Sequence, residues 1–189
     1  MEKILMANIL SMVVMVVGFY INTIINRRHC LMGWAMLDGI DCISYLILGA
    51  TSGIWLSIYS VIKRVYLLVR YKEEKIQPNK IEATVIGIPY LIIGLWNFAV
   101  DGIIAIILGL AKFVKAFEMV FKKDIYRYLL LIITTTVFII YNVSIKNYVA
   151  GLRFTIEVII FAMNIFRIKN KGEEYYYKNK VKESIENEV

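Results

Sequence analysis

Two cysteines, two prolines and one histidine are all that this 189-residue chain carries of those types. Cys30 and Cys42 could close one bridge at most, so no disulfide framework holds the chain. A single His29 beside two thiols does not complete a four-ligand zinc site. So little proline, with eleven glycines, rules out a low-complexity disordered chain and a turn-rich β protein. There is no GxSxG elbow, no phosphate-binding glycine loop and no metal-spaced pair. Nucleophilic catalysis needs a nucleophile, a base and a group that orients the base, which a lone His cannot supply. The expectation is a protein that is not an enzyme, with no catalytic residues, no cofactor and no metal.

What the chain has is apolar surface. Apolar and aromatic residues with Cys make up 59% and mean hydropathy is +0.65, against about 45–50% apolar in a soluble domain. Charged residues are 20% and aromatics 13%, the charges bunched between long apolar runs. The net charge of +7 does not signal nucleic acid, because the basic residues stand at the ends of those runs, where a bilayer needs them. The uncharged run from Ile4 to Asn26 exceeds a signal-peptide core of about 7–15 residues and has no small-x-small cleavage site. It reads as a retained membrane helix.

A spanning helix needs about 20 mostly apolar residues. On that ruler the chain is all-α and polytopic, with seven spans near 4–25, 30–49, 53–70, 82–97, 101–121, 126–142 and 150–167. Trp96-Asn97-Phe98-Ala99-Val100-Asp101-Gly102 must build the turn between the fourth and fifth, with Asn and Asp as turn formers and Gly to end it. Lys112, Lys115 and Glu118 at helical spacing keep a six-span alternative open, with 111–123 as an interfacial helix. Arg27, Arg28, Arg70, Lys72, Lys75, Lys80, Lys122, Lys123, Arg167, Lys169 and Lys171 fall on one side of the membrane. Lys/Arg excess marks cytoplasmic loops, so the N-terminus is expected outside and the C-terminus inside. The tail, 169–189, is charged and carries Tyr175-Tyr176-Tyr177; it reads as a solvated cytoplasmic helix with a Tyr anchor, or as a docking segment.

Sliding the chain by 96–97 residues aligns two triplets of helices. Arg27-Arg28 falls near Lys122-Lys123, Tyr45 onto Tyr141, Gly53 near Gly151, Ser60 onto Glu157 and Arg70 onto Arg167. A linker helix between odd-numbered triplets lets both keep one orientation, giving a 3+1+3 plan with parallel repeats, which transporters use. The divisions are 1–71, 72–99, 100–168 and the tail.

Leu46-Ile47-Leu48-Gly49-Ala50-Thr51-Ser52-Gly53, with Asn26-Arg27-Arg28 before it and Lys63-Arg64 after it, resembles the YgjV-type bacterial inner membrane protein family. The likeness returns at Leu95-Trp96 and at Tyr141-Asn142-Val143-Ser144…Gly151, and covers about 4–170. That family in turn resembles, distantly, the PQ-loop and SWEET carriers and the nicotinamide riboside permeases. The resemblance implies a 3+1+3 plan and a small-solute carrier, and carries over no established activity. No Pro-Gln dipeptide occurs in any span, so the hinge of true PQ-loop carriers is missing. Asn commonly stands in that pattern where this chain has Ser57.

Ionisable groups at bilayer depth are costly and face a cavity or a partner. Asp38 and Asp41, three apart on the second span, share a face; they read either as a proton-coupling pair or as partners of Lys63, Arg64 or Lys112 in structural bridges. Arg153 and Glu157 have intrahelical pairing spacing, with Arg153 near the outer surface and free to snorkel. Ser57, Ser60 and Thr134 are hydroxyls at similar depth, for a solute or for helix packing. Pro89 is expected to kink the fourth span. The candidate solute-binding set is Asp38, Asp41, Ser57, Ser60, Thr134 and Glu157. Partners are the lipid bilayer and a small polar solute, with no nucleic acid; an oligomer is compatible with the pattern. The first expectation is alternating-access transport in the bacterial inner membrane. The alternatives are an interaction protein acting through its cytoplasmic face and tail, and a small pore-forming effector.

Overall fold

The computed structural model describes residues 1–23, 27–70, 78–121 and 124–171. The basic stretches 71–77 and 122–123 and the tail beyond Lys171, where part of the charge argument and the Tyr anchor fall, lie outside these residues. The described residues are helical, without strands: α1 Glu2–Thr23, α2 Arg27–Leu48, α3 Thr51–Arg70, α4 Lys80–Trp96, the short α5 Phe98–Asp101, α6 Ile103–Ala116 closed by a 3-10 turn at Phe117–Met119, α7 Asp124–Ser144 and α8 Tyr148–Lys171.

Five stretches, Glu2–Ile21, His29–Leu48, Thr51–Arg70, Ile125–Ser144 and Tyr148–Asn170, are long and apolar enough to cross a membrane. α4 and α6 are shorter, 17 and 14 residues. Residues 111–116, expected in the six-span alternative to begin a separate interfacial helix, instead continue α6 without a break. Helix α1 shows how a membrane helix distributes apolar groups. Ala7, Ser11, Val14 and Ile21 form a buried stripe, and Leu5, Ile9, Met12 and Val16 an exposed one. Both stripes are mainly apolar, and the smaller residues face protein, which lets neighbouring backbones approach.

The expected turn at 96–102 is present. Asn97 is buried and donates from Nδ2 to Ile93 O at 2.9 Å, and Gly102 takes φ +65° with ψ −155°, an extended positive-φ conformation open essentially to glycine alone. Beyond this turn α4 and α6 pack as a hairpin. A Cβ at Gly109 would lie 2.6 Å from Tyr90 O, and one at Gly94 would lie 2.8 Å from Ala105 O. The two glycines meet at the crossing and permit it.

The repeat is written in the backbone. In the α2–α3 turn, Gly49 N–H bonds Leu46 O, Ala50 N–H bonds Tyr45 O, and Ile54 N–H bonds Ala50 O. In the α7–α8 turn, Lys146 N–H bonds Val143 O, Asn147 N–H bonds Asn142 O, and Gly151 N–H bonds Asn147 O. Each bond recurs 97 residues on. Gly49 and Lys146 also share the left-handed conformation, at φ +69° and +64°, as a helix C-terminal cap demands. Asn8 Oδ1 accepts from Val149 N–H at 2.9 Å at the start of α8, and Asp101 Oδ2 accepts from Ser52 N–H at 2.6 Å at the start of α3. Those two amides are again 97 apart. The spacing corrects one alignment: Tyr45 corresponds to Asn142, not to Tyr141. Tyr45 and Tyr141 are instead neighbours across the bundle, with ring centroids 5.9 Å apart.

Candidate functional site

A cavity of about 520 Å³ runs between the triplets, lined from α1, α2, α3, α6, α7 and α8. Along α3 its lining passes Gly53, Leu56, Ser57, Lys63, Arg64 and Leu67, whose spacings of three, four and seven put them on one helix face. Near the turn end the lining includes a bonded group: Gly53 N–H donates to the Tyr141 hydroxyl at 3.0 Å, and the Tyr45 hydroxyl donates to Asn142 Oδ1 at 3.3 Å.

Four carboxylates and six cations line this space. Asp38 accepts from Arg64 Nε at 2.6 Å, and the Arg64 guanidinium lies 5.5 Å from the Trp34 ring centroid. Asp41 receives both terminal nitrogens of Arg153, at 3.1 and 3.4 Å, the two-pronged geometry that suits guanidinium to carboxylate. Arg153 Nε stands 3.9 Å from Glu157 Oε1, so the four-residue pairing is present but secondary. The Arg153 side chain is 3% exposed; it does not snorkel to the surface as its position near the start of α8 suggests, because two buried acids hold it inward. Glu118 accepts from Arg127 at 3.0 Å. Each acid of the cavity is thus matched to an arginine.

The lysines are not. Among the described residues no carboxylate lies within 4.0 Å of Lys63, Lys112 or Lys115. Lys112 Nζ instead donates to Ser60 Oγ at 3.1 Å. That hydroxyl donates its own proton to Leu56 O at 2.8 Å and accepts from the Tyr90 hydroxyl at 3.1 Å, which uses its full bonding capacity. Lys112 Nζ also lies 5.0 Å from the Phe138 ring centroid and 6.0 Å from that of Tyr90, and Lys63 Nζ lies 5.6 Å from Tyr90. Aromatic faces of this kind attract a cation by about 0.5–2 kcal/mol.

Of the six residues singled out from sequence, Asp38, Asp41, Ser57 and Glu157 line the cavity. Ser60 sits just behind the lining as the tie between α3, α4 and α6. Thr134 is buried in α7 and bonds Leu130 O and Leu131 O at 3.0 and 3.2 Å, the backbone-directed use of a hydroxyl. Of Lys63, Arg64 and Lys112, which the sequence offers as alternative partners for the aspartates, Arg64 takes that place at Asp38; the two lysines do not, and Tyr90 is not singled out by the sequence. Their signal was present, a cation in the interior of an apolar helix, and a Tyr directly after Pro89 in α4. Among the described residues no group of three metal-ligating side chains assembles.

Long apolar helices packed around buried, paired charges define a multi-pass helical membrane protein. The chain matches the Imp-YgjV model, described as a bacterial inner membrane protein, over residues 5–172, and it belongs to that family. No curated protein and no solved structure matches it.

Proposed function

We propose that the protein is a non-enzymatic carrier of a small polar solute in the bacterial inner membrane, alternating access by rocking the two triplets about the central cavity. The observation that carries this reading is the cavity itself. Its volume of about 520 Å³ falls among small-molecule sites, which run about 300–1,000 Å³. It lies between repeated halves, where carriers keep their sites. Its walls hold ten side chains of the charged types, which a helix bundle with only a packing role does not need. We infer seven spans in the 3+1+3 order, with α4 as the linker and the C-terminus cytoplasmic, supported by the continuous α6, the α4–α6 hairpin and the asymmetry of basic loops. The Arg153–Asp41 bridge joins the last helix to the second, and its exchange of partners is the natural switch of such a rocking motion.

The test is thermal stability of the purified protein in detergent against a broad panel of small metabolites, with Glu157→Gln beside wild type. A ligand at about 100 times its Kd adds about 2.7 kcal/mol. A solute that stabilises wild type and fails with Glu157→Gln supports the carrier. A flat panel, combined with loss of function on truncating the tail after Lys169, moves the protein to the interaction class.

A further inference from the structure

We propose that Lys63 and Lys112 bind a small organic dianion, a dicarboxylate or a phosphomonoester, in the central cavity; this rests on the carrier reading and names its substrate class. The argument begins with charge. Three arginines answer four carboxylates among the described lining residues, and three lysines then leave two positive charges in excess. A dianion closes that balance, and a neutral sugar or an organic cation does not.

The lysine heads are also placed to receive a ligand. Lys112 spends one of its three protons on Ser60, and Lys63 rests near the same Tyr90 ring with no carboxylate within 4.0 Å among the described residues. Both remain free to donate to oxygen, and an ammonium is a point charge that suits a phosphate or carboxylate from several directions. Tyr90 fixes this geometry from behind. It is fully buried, bonds Ser60, and packs edge-on against Tyr59 at 4.6 Å, whose hydroxyl donates to Ile86 O. The repeat-equivalent positions are of another kind. At the 97-residue spacing, Ile160 and Phe161 occupy the places of Lys63 and Arg64, and Met15 that of Lys112. Ile160, Phe161 and Phe154 line the cavity. An anionic head on the two lysines leaves the Phe154, Ile160 and Phe161 stretch of α8, beside the Arg153–Glu157 pair, to receive the carbon skeleton.

The experiment is calorimetric titration of the purified full-length protein with succinate and glycerol 3-phosphate, and with lactate, ribose and choline as monoanion, neutral and cation. Wild type, the Lys63→Met/Lys112→Met double variant, Lys112→Arg and the remote Lys3→Met are compared. Succinate or glycerol 3-phosphate is expected to bind wild type and Lys3→Met, and which of the two binds identifies the head group. Binding should be at least about tenfold weaker in the double variant and largely kept in Lys112→Arg. The empty double variant should melt no lower than wild type, since two ammoniums without a buried carboxylate have been removed, which separates a binding role from a structural one. Dianion binding undiminished in the double variant overturns the proposal. So does binding of ribose or choline alone, and that result leaves the carrier standing. Absence of all binding in a protein whose cavity still opens alternately to both sides also overturns the dianion alone; a cavity that never alternates overturns the carrier.

Discussion

The two triplets share a backbone and differ in what they show the cavity. Turn for turn and cap for cap, the hydrogen bonds of α2–α3 recur in α7–α8 at a spacing of 97 residues. The side chains at equivalent depth do not recur. Asp41 stands opposite Phe138 in the alignment, Ser60 opposite Glu157, Arg153 opposite Leu56, and Lys63 opposite Ile160. Backbone bonds in a membrane must be satisfied whatever the protein does, so the scaffold is held. The lining is free to diverge, and it has diverged position by position: none of the charged lining residues has a charged counterpart 97 residues away. The difference separates what builds the bundle from what the bundle presents.

The largest effect should come from the contact that crosses between the halves. Arg153→Met leaves Asp41 and Glu157 buried without their cation, and loss of one partner of such a bridge costs about 3–5 kcal/mol. Unfolding in mixed micelles should show it, and adding Asp41→Asn and Glu157→Gln should restore most of it. Arg64→Met breaks a bridge lying within the first triplet, whose side chains are 20% and 12% exposed, and should cost less than half as much. Equal costs would mean that the bridge across the halves has no special weight.

Next comes the α4–α6 crossing. Gly109→Ala drives a methyl to 2.6 Å from Tyr90 O and should cost about 1–3 kcal/mol through overpacking. It also displaces Tyr90, so any solute binding should weaken with it. A variant as stable as wild type would show that the hairpin adjusts freely.

The turns give a smaller and two-signed test. Lys146→Gly relieves a left-handed lysine and should stabilise by about 1 kcal/mol, whereas Gly49→Ala should destabilise by about the same. A Cβ at Gly49 meets nothing within 4 Å, so its cost is conformational alone. Melting shifts of the same sign would break the equivalence of the two turns. Smallest are the matched caps: Asp101→Ala and Asn8→Ala should each lose about 0.5–1 kcal/mol, and a large difference between them would show that one cap also holds its loop for another purpose.

Much of this fold is legible in the sequence. The apolar runs mark the helices, the Asn97–Gly102 segment marks the α4–α6 turn, and a repeat near 97 residues can be read from charge and glycine placement. The candidate site is legible in part, because Asp38, Asp41 and Glu157 stand out as acids among apolar neighbours. Their partners do not stand out. In a soluble helix the polar face reveals which side is outside, whereas in α1 the lipid face and the packing face are both mainly apolar, so periodicity does not say which helices meet. Arg153 reaches Asp41 across 112 residues of sequence, and Lys112 reaches Ser60 across 52. Such pairings depend on helix rotation, which is set by packing, here by the Gly94–Gly109 approach and by Tyr90. In the sequence Arg153 reads as a snorkelling residue because distance to the surface along its own helix is visible there and the acids facing it are not.

The most direct measurement is two-sided access to Ser57, which lines the cavity on α3. In a background with Cys30 and Cys42 replaced by Ser, Ser57→Cys is labelled with a membrane-impermeant thiol reagent in intact spheroplasts and in inverted vesicles. The account predicts labelling from both sides, at rates that a bound solute shifts. Labelling from one side only, under all conditions, would contradict it.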